Sequence, residues 1–151
     1  MINGSDDNGT GILIDSLDGL NISNLEGSVV SNNSITGTHG VAIGFWNFGN
    51  SDIINTSITG NSVTGYLDTY GIWFRYNAVG KTGRMIDTSI VGNCLKLRSG
   101  STGSSIRVQG SSTAYVANIL IQGNHLRYGN YNIALDYAAG LIESAPLFPS
   151  P

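Results

Sequence analysis

Two aspartates in this sequence are the best candidates for a pair of catalytic carboxylates. Hydrolysis of a glycosidic bond uses two carboxyl groups, about 5 to 5.5 Å apart for retention of configuration and about 6.5 to 9.5 Å apart for inversion. Asp68 and Asp136 are chosen from a pool that also holds Asp52, Asp87 and Glu143. In the repeat that organises the chain they lie two windings, or roughly 10 Å, apart. Catalysis by this pair therefore needs the 64–70 loop to fold down, or a neighbouring subunit to supply one carboxylate.

A second group of residues has the chemistry of a sugar-binding surface. An aromatic ring packs on the apolar face of a pyranose, while guanidinium, amide and carboxylate groups bond to its hydroxyls. The candidates are Tyr66, Tyr70, Trp73, Arg75, Arg107 and Gln109. Two alternatives stay open, namely packing of Trp73 at a subunit interface and a structural charge ladder between Arg75 and Asp136. Trp46 and Phe48 are interpreted as loop anchors or interface residues.

The other motifs predict no metal site and no cofactor. Gly80-Lys81-Thr82 ends like a phosphate-binding loop, but Arg75 occupies the position of the required first glycine and no strand-to-helix context follows. Cys94 and His125 share a column of the repeat with two serines, so they are interpreted as variable corner residues. The single cysteine cannot form an internal disulfide.

Five strand-like segments recur about every 30 residues, and they predict how these side chains are positioned. They are GILIDS at 11–16, GVAIGF at 40–45, GIWFRY at 71–76, SIRVQG at 105–110 and NIALDY at 132–137. Superposition gives two apolar columns: Ile12, Val41, Ile72, Ile106 and Ile133, then Ile14, Ile43, Phe74, Val108 and Leu135. Because side chains alternate along a strand, the residues between these columns face outward, and the proposed sugar-binding side chains are among them.

A repeated Asn-x-apolar phrase predicts the corners between these segments. Its asparagines are Asn33, Asn61, Asn93 and Asn124. Asparagine tolerates the left-handed backbone of a tight corner, and its amide can bond to the same amide one layer up. Each winding is therefore expected to lie on the next at about 4.8 Å, the spacing of paired strands. Insertions are expected at 46–51, 64–70, 77–83 and 97–104.

Composition excludes several classes of protein. Gly, Ser, Asn and Thr account for 66 of the 151 residues, and these are poor helix formers, whereas the 40% apolar content argues against disorder. The net charge is −3 and the seven Lys and Arg residues are scattered along the sequence, which argues against binding to nucleic acid. No apolar run approaches the roughly 20 residues of a membrane span, so no membrane insertion is expected.

The repeated columns resemble those of right-handed parallel β-helices, specifically of the bacteriophage tailspike and appendage type. The resemblance covers residues from about 11 to 137 and implies an all-β fold of about five coils, assembled as a homotrimer. Residues 1–10 are then an N-terminal cap or linker, 11–140 the β-helix, and 141–151 a C-terminal cap or tail. A β-sandwich is the alternative fold, but it does not explain identical columns at one long period.

The same resemblance implies a function. Such proteins sit on the virion tail, exposed to the host cell surface, and bind bacterial surface polysaccharide, with cleavage by hydrolase or lyase chemistry left open. The alternative is a C-terminal trimerisation domain that acts as an intramolecular chaperone for a longer spike and is released by self-cleavage. Under that alternative, Ser5-Asp6-Asp7 lies near the cleavage point. Both expectations are analogies of architecture, because a fold by itself does not specify a function.

Overall fold

The computed structural model describes residues 2–4, 10–16, 24–37, 40–47, 50–65, 70–76, 83–110 and 115–136. These ranges form β-strands and contain no helix, so they include none that is long and apolar enough to cross a membrane. In chain order the strands are β1 (Ile2–Gly4), β2 (Ile12–Ser16), β3 (Leu25–Glu26), β4 (Val29–Ser31), β5 (Ser34–Gly37), β6 (Ile43–Asn47), β7 (Ile53–Ile54), β8 (Ser57–Thr59), β9 (Ser62–Thr64), β10 (Ile72–Tyr76), β11 (Arg84–Val91), β12 (Cys94–Lys96), β13 (Ser104–Gln109), β14 (Tyr115–Gln122), β15 (His125–Arg127) and β16 (Tyr131–Asp136).

These strands form three parallel sheets. Sheet 1 has the order β2-β6-β10-β13-β16, and sheet 3 has the order β1-β5-β9-β12-β15. Sheet 2 contains β3, β4, β7, β8, β11 and β14, with β11 spanning the positions of two shorter strands. Every pairing between described strands is parallel and joins one winding to the next, as in Ile72 opposite Ile43 and Ile106. The fold is therefore a parallel β-solenoid, as predicted, and the alternative of a β-sandwich is wrong.

The core lies between the three sheets and is built from the inward columns. Ile43, Ile72 and Ile106 are fully buried in one column, and Phe45 and Phe74 are fully buried in the next. The rings of these two phenylalanines stack with centroids 4.7 Å apart and planes 7° from parallel. Like side chains thus fall in register because each winding repeats the alternation of the one below it.

One assignment of the column pattern is wrong by two residues. The sequence alignment placed Val41 beside Ile72 and Ile43 beside Phe74, whereas the structure pairs Ile43 with Ile72 and Phe45 with Phe74. Both registers put an apolar residue in each column, because Val41, like Ile43, is buried. The stacking of the two phenylalanine rings accounts for the observed register.

The corner asparagines form a continuous ladder of amides, as predicted. The Nδ2 of Asn33 donates to the Oδ1 of Asn61 at 3.0 Å, Asn61 donates in the same way to Asn93, and Asn93 to Asn124, both at 2.9 Å. Each receiving Oδ1 also accepts the backbone N–H of the preceding ladder residue, as Asn61 does from Asn33 at 3.0 Å. Asn61 and Asn93 are each only 1% exposed, so the ladder satisfies polar groups that water cannot reach.

The left-handed residues of the corners lie one position before the ladder. They are Asn32, Gly60, Gly92 and Gly123, with φ between 55° and 66°. The prediction that the ladder asparagines themselves adopt this conformation is therefore wrong. A second left-handed column consists of Gly27, Asn55, Asp87 and Asn118, so Asp87 occupies a corner position of the solenoid. Asn118 donates from Nδ2 to Oδ1 of Asp87 at 3.0 Å, so this column is also bonded between windings.

A third ladder precedes sheet 2 and contains an ion pair. Asn24 Oδ1 accepts the backbone N–H of Asp52 at 3.1 Å, and Asp52 Oδ1 accepts that of Arg84 at 2.8 Å. The guanidinium of Arg84 also donates to Asp52 Oδ2, from Nε at 3.0 Å and from Nη2 at 2.6 Å. The Arg84 hydrogen bonds outweigh the opposing effect of burial, so the pKa of Asp52 is lowered from its ordinary value.

Candidate functional site

The outward face of sheet 1 carries the densest group of aromatic and cationic side chains in the described part of the chain. In the observed register Trp73 lies opposite Gly44 and Arg107, while Arg75 lies opposite Trp46 and Gln109. Trp46 therefore belongs to β6 and to this face, and its assignment to a loop corner is wrong. We call the group Trp46, Tyr70, Trp73, Arg75 and Arg107 the aromatic–arginine surface.

Its three aromatic rings pack against one another. The Trp46 and Trp73 rings meet edge to face, with centroids 6.1 Å apart and planes at 74°. Tyr70, in the last residues before β10, lies closer to Trp73, with centroids 4.5 Å apart. Gly44 leaves room for this packing, because a Cβ at that position would come within 3.2 Å of the Trp46 Nε1.

The two arginines lie over these rings. The Cζ of Arg75 is 4.9 Å from the Trp73 centroid and 5.8 Å from that of Trp46. The Cζ of Arg107 is 4.8 Å from the Tyr70 centroid and 5.5 Å from that of Trp73. These separations are within the roughly 6 Å over which a ring attracts a cation. Each guanidinium is thus held in a fixed orientation by a ring of an adjacent winding.

Arg107 has two further partners that fix its direction. Its Nε donates to Asp136 Oδ2, and its Nη1 donates to the hydroxyl of Tyr70. The Arg107 side chain is 23% exposed and that of Asp136 is 42% exposed, so the ion pair borders solvent. Asp136 therefore forms its ion pair with Arg107. The alternative of a charge ladder between Arg75 and Asp136 is not the pairing observed.

The two indoles expose carbon rather than nitrogen. Nε1 of Trp46 and Nε1 of Trp73 are both buried, although each residue as a whole is partly exposed. The Nε1 of Trp73 has no hydrogen-bond acceptor among the described residues, and the Oε1 of Gln109, on the neighbouring strand β13, is likewise buried without a donor. What reaches solvent at this surface is therefore the apolar part of each ring, bordered by guanidinium groups.

Only one member of the predicted catalytic pair, Asp136, belongs to the described residues. Asp68 and Tyr66 lie outside them, as do Phe48 and Glu143. Asp136 is described, and its carboxylate is bound to Arg107. Since one member of the pair falls outside the described ranges, the catalytic assignment stays a prediction.

The remaining titratable groups occupy other positions in the solenoid. Asp52 is paired with Arg84 before sheet 2, and Asp87 is in the left-handed column. Cys94 and His125 are neighbours in register on sheet 3, where both are exposed. Among the residues that the structure describes, no three His, Cys, Asp or Glu side chains are grouped as metal ligands would be.

Sequence reasoning missed Trp46, although a signal for it was present. The triplet Ile-x-Phe occurs at 43–45 and again at 72–74, and aligning these triplets places Trp46 beside Arg75.

Comparison with protein-family models, with curated proteins and with solved structures finds no match to this chain. A surface with partly exposed aromatic carbon and oriented guanidinium donors can bind a ligand that combines apolar C–H faces with oxygen acceptors.

Proposed function

We propose that this chain is a carbohydrate-binding adhesin whose aromatic–arginine surface binds a bacterial cell-surface polysaccharide. The observation that carries the proposal is the position of Arg75 and Arg107 over the rings of Trp73, Trp46 and Tyr70. A pyranose offers both groups that such a surface needs, namely C–H faces for the rings and hydroxyls for the guanidinium N–H groups.

The side chains of this surface lose little conformational entropy when a ligand binds. A long arginine loses considerable rotamer freedom when a ligand fixes it. Here the rings, the Tyr70 hydroxyl and the Asp136 carboxylate already fix Arg107. A ligand therefore meets donors whose orientation is set before it arrives. Gln109, beside Arg75 on β13, is proposed to add an amide to the same surface.

Binding without cleavage is the form of the proposal that the described residues favour. Asp136, the described member of the predicted catalytic pair, is engaged by Arg107 and so contributes to holding a donor. Depolymerase activity through Asp68 and Asp136 is a subsidiary proposal. It is tested by measuring new reducing ends or unsaturated sugars released from a bound polysaccharide, with Asp136→Asn as the comparison.

The finer features of the assembly are proposed together with this function. We infer a right-handed helix of about five coils, assembled as a homotrimer on the tail of a virion, as the tailspike resemblance implies. The solenoid ends in strands with one unpaired edge, β16 in sheet 1 and β15 in sheet 3 among the described strands. Such edges invite pairing unless they are covered, and trimer formation is one way to cover them. Sedimentation at micromolar concentration tests the trimer.

The binding experiment uses the tryptophans themselves as reporters. Both tryptophans of the chain, Trp46 and Trp73, belong to the surface, so a ligand bound there is expected to change intrinsic tryptophan fluorescence. Wild type is titrated with a panel of bacterial capsular and lipopolysaccharide-derived glycans. Trp73→Ala is expected to abolish binding, whereas Tyr131→Ala, which removes a 64%-exposed aromatic at the start of β16 that is not part of the surface, retains it.

Two results would count against the proposal. Binding that survives in both Trp46→Ala and Trp73→Ala excludes this surface. The alternative function, a trimerisation and chaperone domain, predicts instead that the tryptophan variants dissociate the assembly and that no glycan in the panel binds. Sedimentation and glycan titration of the same variants therefore separate the two functions.

A further inference from the structure

The outward face of sheet 3 carries a concentration of positive charge that the linear sequence conceals. Lys96 on β12 lies directly opposite Arg127 on β15, and Arg98 follows two residues after Lys96 with the buried Leu97 between them. All three basic side chains are exposed. Three of the seven Lys and Arg residues of the chain thus lie together, although they appear scattered along the sequence. We call Lys96, Arg98 and Arg127 the sheet-3 basic patch.

The described carboxylates lie elsewhere. They are Asp15 on β2 of sheet 1, Glu26, Asp52, Asp87 and Asp136. Glu26 and Asp87 are on sheet 2, Asp52 precedes it, and Asp136 is on sheet 1. The described strands of sheet 3 carry no acidic side chain. Like charges directly opposite each other in a sheet repel, so Lys96 and Arg127 destabilise the free protein unless an anion lies between them.

The surroundings of the patch indicate the kind of anion. In the preceding windings the same two outward columns hold hydroxyl side chains, Ser62 beside Cys94 and Thr64 beside Lys96, and both are exposed. Tyr128, immediately after Arg127, is 51% exposed and has a φ of 67°, a conformation that few non-glycine residues adopt. Hydroxyls and an exposed ring next to closely spaced cations match a polymer that carries hydroxyls, C–H faces and regularly spaced carboxylates.

We propose that the sheet-3 basic patch is a second ligand site, specific for acidic, uronate-containing polysaccharide. A carboxylate bound between Lys96 and Arg127, whose strands are about 4.8 Å apart, accepts hydrogen bonds from both. Nucleic acid is the less suitable occupant, because the chain has a net charge of −3 and the described patch holds only three cations. The site is on a different sheet from the aromatic–arginine surface and does not depend on the function proposed for it.

Stability and binding measured together test this proposal. Wild type and Lys96→Gln are titrated calorimetrically with polygalacturonate fragments and, as the neutral counterpart, with dextran. Wild type is expected to bind polygalacturonate and not dextran, and its binding weakens as salt rises toward 1 M, where charges are screened beyond about 3 Å. Lys96→Gln is expected to bind roughly tenfold more weakly, as for the loss of one charge-assisted hydrogen bond. Lys96→Arg keeps the charge and is expected to retain binding.

The thermal stability of the free proteins distinguishes a site from a folding defect. Removing one of two opposed cations relieves repulsion, so ligand-free Lys96→Gln is expected to melt at or above the temperature of wild type while losing the stabilisation that polygalacturonate gives. Equal binding by Lys96→Gln and wild type would overturn the proposal. Tighter binding of an oligodeoxythymidylate than of polygalacturonate would overturn it in favour of nucleic acid.

A further control keeps this inference separate from the function proposed for sheet 1. Polygalacturonate bound at sheet 3 is expected to leave tryptophan fluorescence unchanged and to bind Trp73→Ala as it binds wild type. Loss of polygalacturonate binding in Trp73→Ala, with Lys96→Gln unaffected, assigns acidic glycan to the aromatic–arginine surface and overturns the second site.

Discussion

The guanidinium carbon of Arg75 lies 4.9 Å from the centre of the Trp73 ring. The residue opposite Arg75 on the adjacent strand β6 is Trp46. The arginine and Trp73 alternate on the same face of β10, and Trp46 comes from the winding before. A planar cation held against two rings can donate hydrogen bonds only along its exposed edge. The packing therefore sets the direction in which Arg75 can donate hydrogen bonds to a ligand. Ligand binding should consequently depend on the shape of the ring at position 46.

Two substitutions at Trp46 separate the effect of losing the ring from the effect of replacing it with a smaller ring. Trp46→Ala removes the support beneath Arg75 and is expected to weaken glycan binding by about 2 kcal/mol, or roughly 30-fold, as for a central aromatic contact. Trp46→Phe keeps a ring and is expected to lose less than half of that free energy. Titration with a glycan that wild type binds, followed through the remaining tryptophan Trp73, measures both. Equal loss in the two variants would show that ring stacking is not the basis of binding.

Asn61, a buried member of the amide ladder, is expected to be more sensitive to substitution than the last member, Asn124. Asn61→Ala removes a donor to Asn93 and to the Val30 carbonyl, and it leaves buried polar groups unpaired, so we expect a cost of about 1–3 kcal/mol in the free energy of unfolding. Asn61→Asp is expected to cost more at neutral pH, because an oxygen then faces Asn93 Oδ1. Urea unfolding measures both.

The matched control is the last member of the ladder. Asn124→Ala is expected to cost less than Asn61→Ala, since Asn124 is only partly buried and donates to a single described carbonyl, that of Ile90. An equal cost at the two positions contradicts the account in which buried, doubly bonded amides dominate.

Asp52 is expected to make stability depend on pH in the acid range. Its folded pKa is lowered, chiefly by the Arg84 side chain, from an ordinary value of 3.8. The stability that this ion pair contributes is therefore fully present above the unfolded pKa and is lost as the pH falls through the lower folded pKa. Asp52→Asn is expected to flatten the dependence of the unfolding free energy on pH below about 4. Urea unfolding from pH 2 to 7 measures it.

Asp87→Asn provides the comparison for that experiment. Asp87 is exposed and left-handed, and asparagine occupies the equivalent positions 55 and 118, so the substitution fits the local backbone. This variant keeps the Arg84–Asp52 ion pair, so its pH profile is the reference for that of Asp52→Asn. If Asp87→Asn flattens the profile as much as Asp52→Asn does, the acid dependence does not arise from the Arg84 pair.

Ile72 tests the core of the solenoid. Ile72→Asp places a carboxylate where the side chain is fully buried between Ile43 and Ile106, and it is expected to unfold the protein because no described cation faces that position. Leu13→Asp, on the outward side of β2 and 43% exposed, is expected to change stability by less than about 1 kcal/mol. Circular dichroism and thermal melting of both variants measure this contrast.

The periodicity was sufficient to predict a parallel β-solenoid and its amide ladder, because both depend on like residues recurring at one spacing. It was insufficient for the register of β6, since Val41, Ile43 and Phe45 fit the inward columns in two ways, and the stacking of Phe45 on Phe74 is a three-dimensional property. Because the register of β6 was ambiguous, Trp46 was not included in the predicted surface. The pairing of Arg107 with Asp136 was equally hidden, because residues 29 apart offer several partners in adjacent windings.

The amide column also gives the solenoid a polarity along its axis. Asn33, Asn61 and Asn93 all donate toward the C-terminal winding, so their dipoles add and each bond strengthens the next. An ordered winding therefore offers the next winding an asparagine that is already oriented to bond with it. Unfolding that starts at one end of the solenoid must break these Asn–Asn hydrogen bonds one after another. Hydrogen exchange of this protein should consequently be graded, slowest in the middle windings and fastest at the two ends.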